Sequence, residues 1–315
     1  MTPHLFCFGF GYTARALARR LAAAGWRIGG TCRPSKAATA AEVAALPFAR
    51  ERPLPPDALV GVTHILVSIP PDAEGDPVLD RHGADIAALP GLAWVGYLST
   101  TGVYGDRGGA WVDESAPLAP TGERGRRRVA AEAGWLMLWR TRRVPVHVFR
   151  LAAIYGPGRN PFAALRAGTA KRIDRPGQVF SRIHVEDLAA ALSASIARPR
   201  PGAVYNVCDD EPAPPAAVVA HAARLLDLPP PPLVPFAAAE LSPLAQSFYA
   251  DNKRVSNALL KRELGVRLRY PDYRAGLAAI RAAELSQNCL KCRTGLPGPA
   301  PFGMVGRDNP DHSTR

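Results

Sequence analysis

Two glycines and an alanine, Gly9, Gly11 and Ala14, stand between an apolar run and an amphipathic one, and few folds accept that order. Residues 5–8 (LFCF) are uninterrupted apolar positions, the pattern of a buried strand. Ala14, Leu17, Ala18 and Leu21 then recur at helical spacing, and Gly25 follows where a helix commonly stops. A second strand is expected over residues 26 to 31. Between strand and helix each small residue has a mechanical task. Gly9 permits a tight turn, Gly11 leaves the backbone open because it has no Cβ, and Ala14 lets the helix lie close to the sheet. The first amides of that helix lack intrahelical partners and face outward, ready for an anion.

The G-x-G-x-x-A spacing is that of dinucleotide-binding turns, so Gly9, Gly11, Tyr12, Thr13 and Ala14 are the expected cofactor contacts. The end of the second strand selects between nicotinamide coenzymes. An acid there holds the ribose hydroxyls of NAD. Here the residues are Thr31-Cys32-Arg33-Pro34-Ser35-Lys36, with no carboxylate. A guanidinium binds a 2′-phosphate that an acid would repel, so Arg33 points to NADP over NAD. A solvated loop arginine is the plainer alternative. Ser68-Ile69-Pro70-Pro71 ends another apolar run, and strand ends of this kind line the ligand crevice of an open α/β sheet. Ser68, Ile69 and Pro70 are therefore placed beside the cofactor.

The alternation of strand and helix continues through most of the chain. Residues 63–69, 93–99, 145–151 and 202–207 read as strands. Helical patterns lie near 77–89, 122–141, 185–196, 213–226, 251–264 and 271–284. Such a series predicts an α/β fold, a doubly wound parallel Rossmann-type sheet, with a smaller mostly helical C-terminal lobe. The expected organisation is one unit over 1–285, its substrate lobe drawn mainly from 155–285, and a disordered tail over 286–315. Hydrophobic residues make up 47% and charged residues 21%, enough for a sizeable core and against a disordered chain. No apolar run reaches the roughly 18 residues of a membrane span, so no membrane is expected. No secretory leader is legible in residues 1–5. The net charge is +12, carried mostly by arginine. Arginine-for-lysine composition explains it better than a nucleic-acid partner. Five cysteines, an odd and scattered set, fit a reducing cytoplasm better than a disulfide framework. Cys289 and Cys292 form one C-x-x-C, two thiolates where structural zinc takes four ligands, so no metal site is expected.

With these residues in hand, the chain resembles the extended short-chain dehydrogenase/reductase superfamily of nucleotide-sugar epimerases and dehydratases, over about residues 3–285. Besides the turn at 9–14, the likeness rests on Leu98-Ser99-Thr100-Thr101-Gly102-Val103-Tyr104-Gly105, on Arg150-Leu151-Ala152-Ala153-Ile154-Tyr155-Gly156-Pro157-Gly158, and on Arg182-Ile183-His184-Val185-Glu186-Asp187-Leu188. The resemblance implies that Thr100 bonds the reacting oxygen, with Thr101 and Tyr104 on the substrate side. A strand-end hydroxyl bonding only backbone is the other reading of Thr100. The family's acid/base is the tyrosine of Y-x-x-x-K. Aligned on the A-A-E that ends at Glu132, Arg124 occupies the tyrosine position and Arg128 the lysine position. Arginine stays protonated and cannot serve as a general base. Arg128 keeps a cation for a cofactor ribose, and Arg124 suits a substrate phosphate or carboxylate. Loss of the tyrosine fits the atypical members, in the YeeZ-like branch. Tyr104 or Glu123 are the candidates for a replacement proton donor. From the second half, Asn160, Arg166, Ser181, Arg182 and His184 are candidates near the substrate, His184 more as a structural residue. Asp187 is expected to orient a helix, and Asp209-Asp210-Glu211 to form an exposed acidic loop. The implied activity is that of an NAD(P)-dependent oxidoreductase or epimerase-like enzyme on a small polar or nucleotide-linked substrate. A catalytically silent NADP-binding sensor or scaffold is the alternative, and a homodimer remains open.

Overall fold

The computed structural model describes residues 2–35 and 45–294. Its apolar runs become strands of a parallel sheet covered on both faces, because a strand apolar at every position must bury both of its sides. In chain order the first half supplies β1 (His4–Phe8), α1 (Tyr12–Ala22), β2 (Arg27–Cys32), β3 (Ala45–Pro47), β4 (His64–Val67), α2 (Pro77–Ala88), β5 (Trp94–Thr100), β6 (Trp111–Val112) and α3 (Glu123–Arg142). Then follow β7 (Val146–Leu151), β8 (Ala153–Tyr155), α4 (Phe162–Arg166), β9 (Arg172–Asp174), β10 (Arg182–His184), α5 (Val185–Ala197) and β11 (Val204–Val207). The last part holds α6 (Pro215–Leu225), β12 (Leu233–Pro235), α7 (Pro243–Tyr249), β13 (Arg254–Val255), α8 (Ala258–Leu264) and α9 (Tyr273–Thr294).

Among the described residues the main sheet has seven strands in the order β11-β7-β5-β4-β1-β2-β3, and its pairings are parallel. Alternation along β1 divides the core. Leu5 and Cys7 face α1, α5 and α8, with Leu17, Trp94, Leu188 and Leu260. Phe6 and Phe8 face α2 and α3, with Ile65, Val78, Tyr97 and Trp135. The chain leaves β1 towards β2 and β3, then crosses back to β4 on the other side of β1. The order therefore reverses between β1 and β4, which is where open α/β sheets bind ligands.

Helix ends follow their local chemistry. Asp76 caps α2 by accepting from the amides of Val78 and Leu79, both at 3.0 Å, and Pro77 takes the first helical position, where a missing N–H costs nothing. The lobe from the second half is mostly helical, with its own core of Tyr155, Phe162, Ala222, Tyr273, Leu277 and Ile280. Two differences from the expected elements have plain causes. The helix expected over 251–264 is confined to α8, because Arg254 and Val255 pair with β6 instead. Residues 286–294 of the expected tail are helical, since α9 runs unbroken to Thr294 and takes in positions 289 and 292. Residues 295–315, and Lys36, lie outside the described residues. No helix among the described residues is long and apolar enough to cross a membrane.

Candidate functional site

The crevice begins at the β1–α1 turn. Gly9 has φ +87°, a conformation costly for a side chain, and a Cβ there would stand 2.7 Å from Ser68 Oγ. Two bonds to β2 set the turn: Gly9 N–H donates to Thr31 Oγ1 at 2.8 Å and Phe10 N–H to Thr31 O at 2.7 Å. Ser68 Oγ donates to Gly9 O at 2.6 Å, so the loop after β4 is tied directly to the glycine turn. Gly11 caps α1 with no side-chain bond. The first intrahelical bond is Arg15 N–H to Gly11 O at 2.9 Å, which leaves the amides of Tyr12, Thr13 and Ala14 without helical acceptors. No heavy atom lies within 4 Å of where a Gly11 Cβ would be. That open cradle, lined by free amides, fits the diphosphate of a dinucleotide. Arg33 is exposed just past β2, Pro70 is exposed, and Ile69 packs against Gly9.

Thr100 ends β5, in the same row of strand ends. Its hydroxyl accepts Gly102 N–H at 3.1 Å, which leaves its own proton free to donate. Thr101 opens the short 3-10 turn that follows. The first turns of α3 pack on that turn: a Cβ at Gly125 would lie 3.0 Å from Gly102 O. Arg128 reaches β5, donating to Leu98 O and, at 3.3 Å, to Tyr97 Oη. Arg124 is exposed, its guanidinium 5.8 Å from the ring centre of exposed Phe248 on α7. Gly9, Gly11, Arg33, Ser68 and Thr100 thus stand at the carboxyl ends of neighbouring strands, and Arg128 reaches the end of β5. A cleft of about 470 Å³ beside Trp111, lined also by Asp113, Ser115 and Ser256, contains none of them.

Several expected residues are placed elsewhere. Tyr104 is fully buried, which corrects its expected substrate role. Its hydroxyl donates to Asn206 Oδ1 at 2.7 Å and accepts from Arg150 Nη1 at 3.0 Å, and burial pushes its pKa up. Neither fact suits a proton donor in a crevice. Glu123 is exposed and held by Arg126 and Arg127, both at 3.0 Å, which keep its carboxyl below the usual range. Arg182 is buried, its Nη1 donating to Phe180 O at 2.7 Å and Ala213 O at 3.0 Å. His184 caps α5 by accepting Glu186 N–H at 3.2 Å, and burial lowers its pKa to about 4, so it serves as a structural imidazole. Asp187 accepts the amides of Arg269 and Tyr270 at 2.8 and 2.9 Å, fastening the loop before α9. Asn160 bonds within its own loop, and Arg166 pairs with Glu284. Ser181 accepts Val255 N–H at 3.1 Å. Asp209 is buried, not part of an exposed loop, and burial lifts its pKa to about 8.

No family model matches the chain. It is 57% identical to a conserved protein of unknown function from Silicibacter pomeroyi whose structure is solved, with a TM-score of 0.83 over 90% of this chain and 99% of that one. It is 28% identical to the protein YeeZ of Escherichia coli over 84% of this chain and 95% of that protein. The chain is a relative of YeeZ and resembles the extended short-chain dehydrogenase/reductase family. The dTDP-glucose 4,6-dehydratase of Bacillus anthracis, solved with NAD, has the same fold at a TM-score of 0.69 and 17% identity, over 91% and 98% of the two chains.

Arg124, expected at the tyrosine position of Y-x-x-x-K, is the second residue of α3. Sequence reasoning missed the polar cluster beneath the site. Glu132 and Arg150 are both buried and paired, with Nη2 2.8 Å from Oε2, and Ser99 Oγ donates to the same carboxylate. An arginine inside the apolar run 145–151 was the available signal, because a charge in a buried strand requires a partner.

Proposed function

We propose that this chain binds a nicotinamide dinucleotide, NADP before NAD, and acts as an oxidoreductase or epimerase-like enzyme on a small polar or nucleotide-linked substrate. The open cradle at Gly11, on the switch point of the sheet and one strand from Thr100, carries this reading. Bound there, the coenzyme supplies hydride transfer. Amides of Tyr12, Thr13 and Ala14 hold its diphosphate, and Arg33 favours a 2′-phosphate. Ser68, Ile69 and Pro70 flank it and limit water. Thr100 directs its free hydroxyl proton to the reacting oxygen, and Arg128 holds a positive charge beside β5. Arg124, at the rim, suits an anionic group of the substrate.

The test is titration of purified protein with NADPH and NADH, followed by turnover against carbonyl and nucleotide-sugar substrates. Micromolar binding of NADPH, a preference over NADH reduced in Arg33→Ala, and turnover lost in Thr100→Val are the expected results. No affinity for either nucleotide, or unchanged affinity in Gly11→Val, would overturn the reading. One observation favours a second function: both candidate replacements for the tyrosine, Tyr104 and Glu123, are engaged elsewhere. Tight NADPH binding without oxidation of any substrate would then mark a coenzyme-responsive sensor or scaffold.

A further inference from the structure

The turn after β8 places a cation at the mouth of the glycine crevice. Gly156 and Arg159 exchange two backbone hydrogen bonds, each 3.0 Å, around the pair Pro157-Gly158. Proline followed by a glycine at φ +71° is the residue choice of a type II turn. Such a loop is stiff, and Arg159 leaves it at a set place. Tyr12, the first residue of α1, anchors it by donating its hydroxyl to Pro157 O at 2.9 Å. A Cβ at Gly156 would stand 2.5 Å from that hydroxyl and 2.8 Å from Cγ1 of Val185, the first residue of α5. The turn is thus wedged between the openings of two helices. The Arg159 guanidinium lies 5.9 Å from the Tyr12 ring centre.

A lone cation is poorly placed there. Helix N-termini carry partial positive charge, and both α1 and α5 begin beside this turn. Arg19 adds a further charge, and Glu186 is already its partner at 3.5 Å. The local excess is positive, and an anionic bridge relieves it. We propose that Arg159 binds the coenzyme diphosphate, facing the amides of Tyr12, Thr13 and Ala14 across it. A guanidinium suits two phosphate oxygens at once. The inference rests on the coenzyme reading above and extends it, because Arg159 comes from the second half of the chain. Coenzyme binding then fastens that half to the glycine turn.

The full-length protein, unmodified and as Arg159→Gln and Arg159→Lys, is titrated with NADPH, ADP and adenosine. Arg159→Gln should bind NADPH and ADP about tenfold more weakly, the scale of one charge-assisted hydrogen bond. Adenosine, which lacks phosphate, should bind equally to all three proteins. Arg159→Lys should recover part of the loss, since it keeps the charge without the fork. The NADPH affinity of Arg159→Gln should also depend less on salt. An unchanged thermal midpoint excludes a folding defect, as expected for an exposed side chain. Equal affinity of unmodified protein and Arg159→Gln for NADPH would overturn this inference and leave the coenzyme reading standing. Failure of the unmodified protein to bind NADPH or ADP would overturn both.

Discussion

Glu132 and Arg150 form a pair removed from water, and burial makes such a pair costly to break. Both side chains are nearly inaccessible, and Arg150 also donates to Tyr104 Oη and stacks 5.1 Å from its ring centre. Glu132→Ala leaves an uncompensated guanidinium inside the sheet, at a cost of about 3–5 kcal/mol. Urea unfolding measures it, and a loss under 1 kcal/mol would show that the pair contributes little. Asp209 gives a second prediction. Its folded-state pKa, raised to about 8 from 3.8 by burial with Arg182 opposing, means that the folded protein holds this proton more tightly than the unfolded chain. Between about pH 4 and 8 the native state therefore binds more protons, and this group makes stability fall as pH rises. Asp209→Asn removes that slope. The gap in unfolding free energy between Asp209→Asn and the unmodified protein should shift in favour of the variant from pH 5 to 8. Parallel curves would refute the assignment. Such residues were only partly legible. Seven positions after Gly125 and three before Trp135, Glu132 falls on the buried stripe of α3, a spacing that could have exposed it. Asp209 sits among acids that resemble a solvated loop, and only tertiary packing buries it.

At the scale of elements, the loop between β4 and α2 is pinned from outside. Arg50, largely buried, donates to Asp72 at 2.7 and 2.8 Å and to Asp80 in the first turn of α2 at 2.7 Å. Asp72 also accepts the amides of Glu74 and Gly75, and its bonds to Arg50 hold its carboxyl below the ordinary range. The same loop begins with Ser68, which grips Gly9. Asp72→Asn should therefore weaken NADPH binding several-fold, while Asp80→Asn, which removes the Arg50 bond to α2 and keeps the two bonds to Asp72, should leave it nearly unchanged. Each should lower stability by about 1 kcal/mol, the scale of a partly exposed charged bond. Equal NADPH affinity for the two variants would show that the clamp does not reach the crevice. The elements themselves divide by length in how well the sequence announces them. Long apolar runs such as β5 and β7 fell within a residue or two of their expected limits. Pairs such as β6 with β13 or β9 with β12 have two or three residues each, too few for any period to register. Partners distant in the chain create them.

The molecule as a whole depends on late segments to finish what early ones begin. β11 forms the outer edge of the sheet on β7, and α5 lies on α1. Trp94 of β5 donates its indole N–H to Ser195 Oγ of α5 at 3.0 Å, both groups buried. Leu188, Leu192, Tyr205, Val207 and Leu260 share one core with Leu5, Leu17 and Phe149. Fully burying one large apolar side chain contributes about 1.5–3 kcal/mol, and the net stability of a domain is only about 5–15 kcal/mol. The five late side chains alone therefore match the whole margin. A fragment of residues 1–160 holds the glycine turn and Thr100, yet it should show no cooperative melting and no NADPH binding. Co-expression with 161–294 should restore both, because the missing face is then supplied in trans. Heating the full chain should give one transition, with calorimetric and van't Hoff enthalpies equal. If the fragment melted cooperatively by itself, β1 to β7 would be an independent unit, and the late strands and helices would be an addition to a finished core.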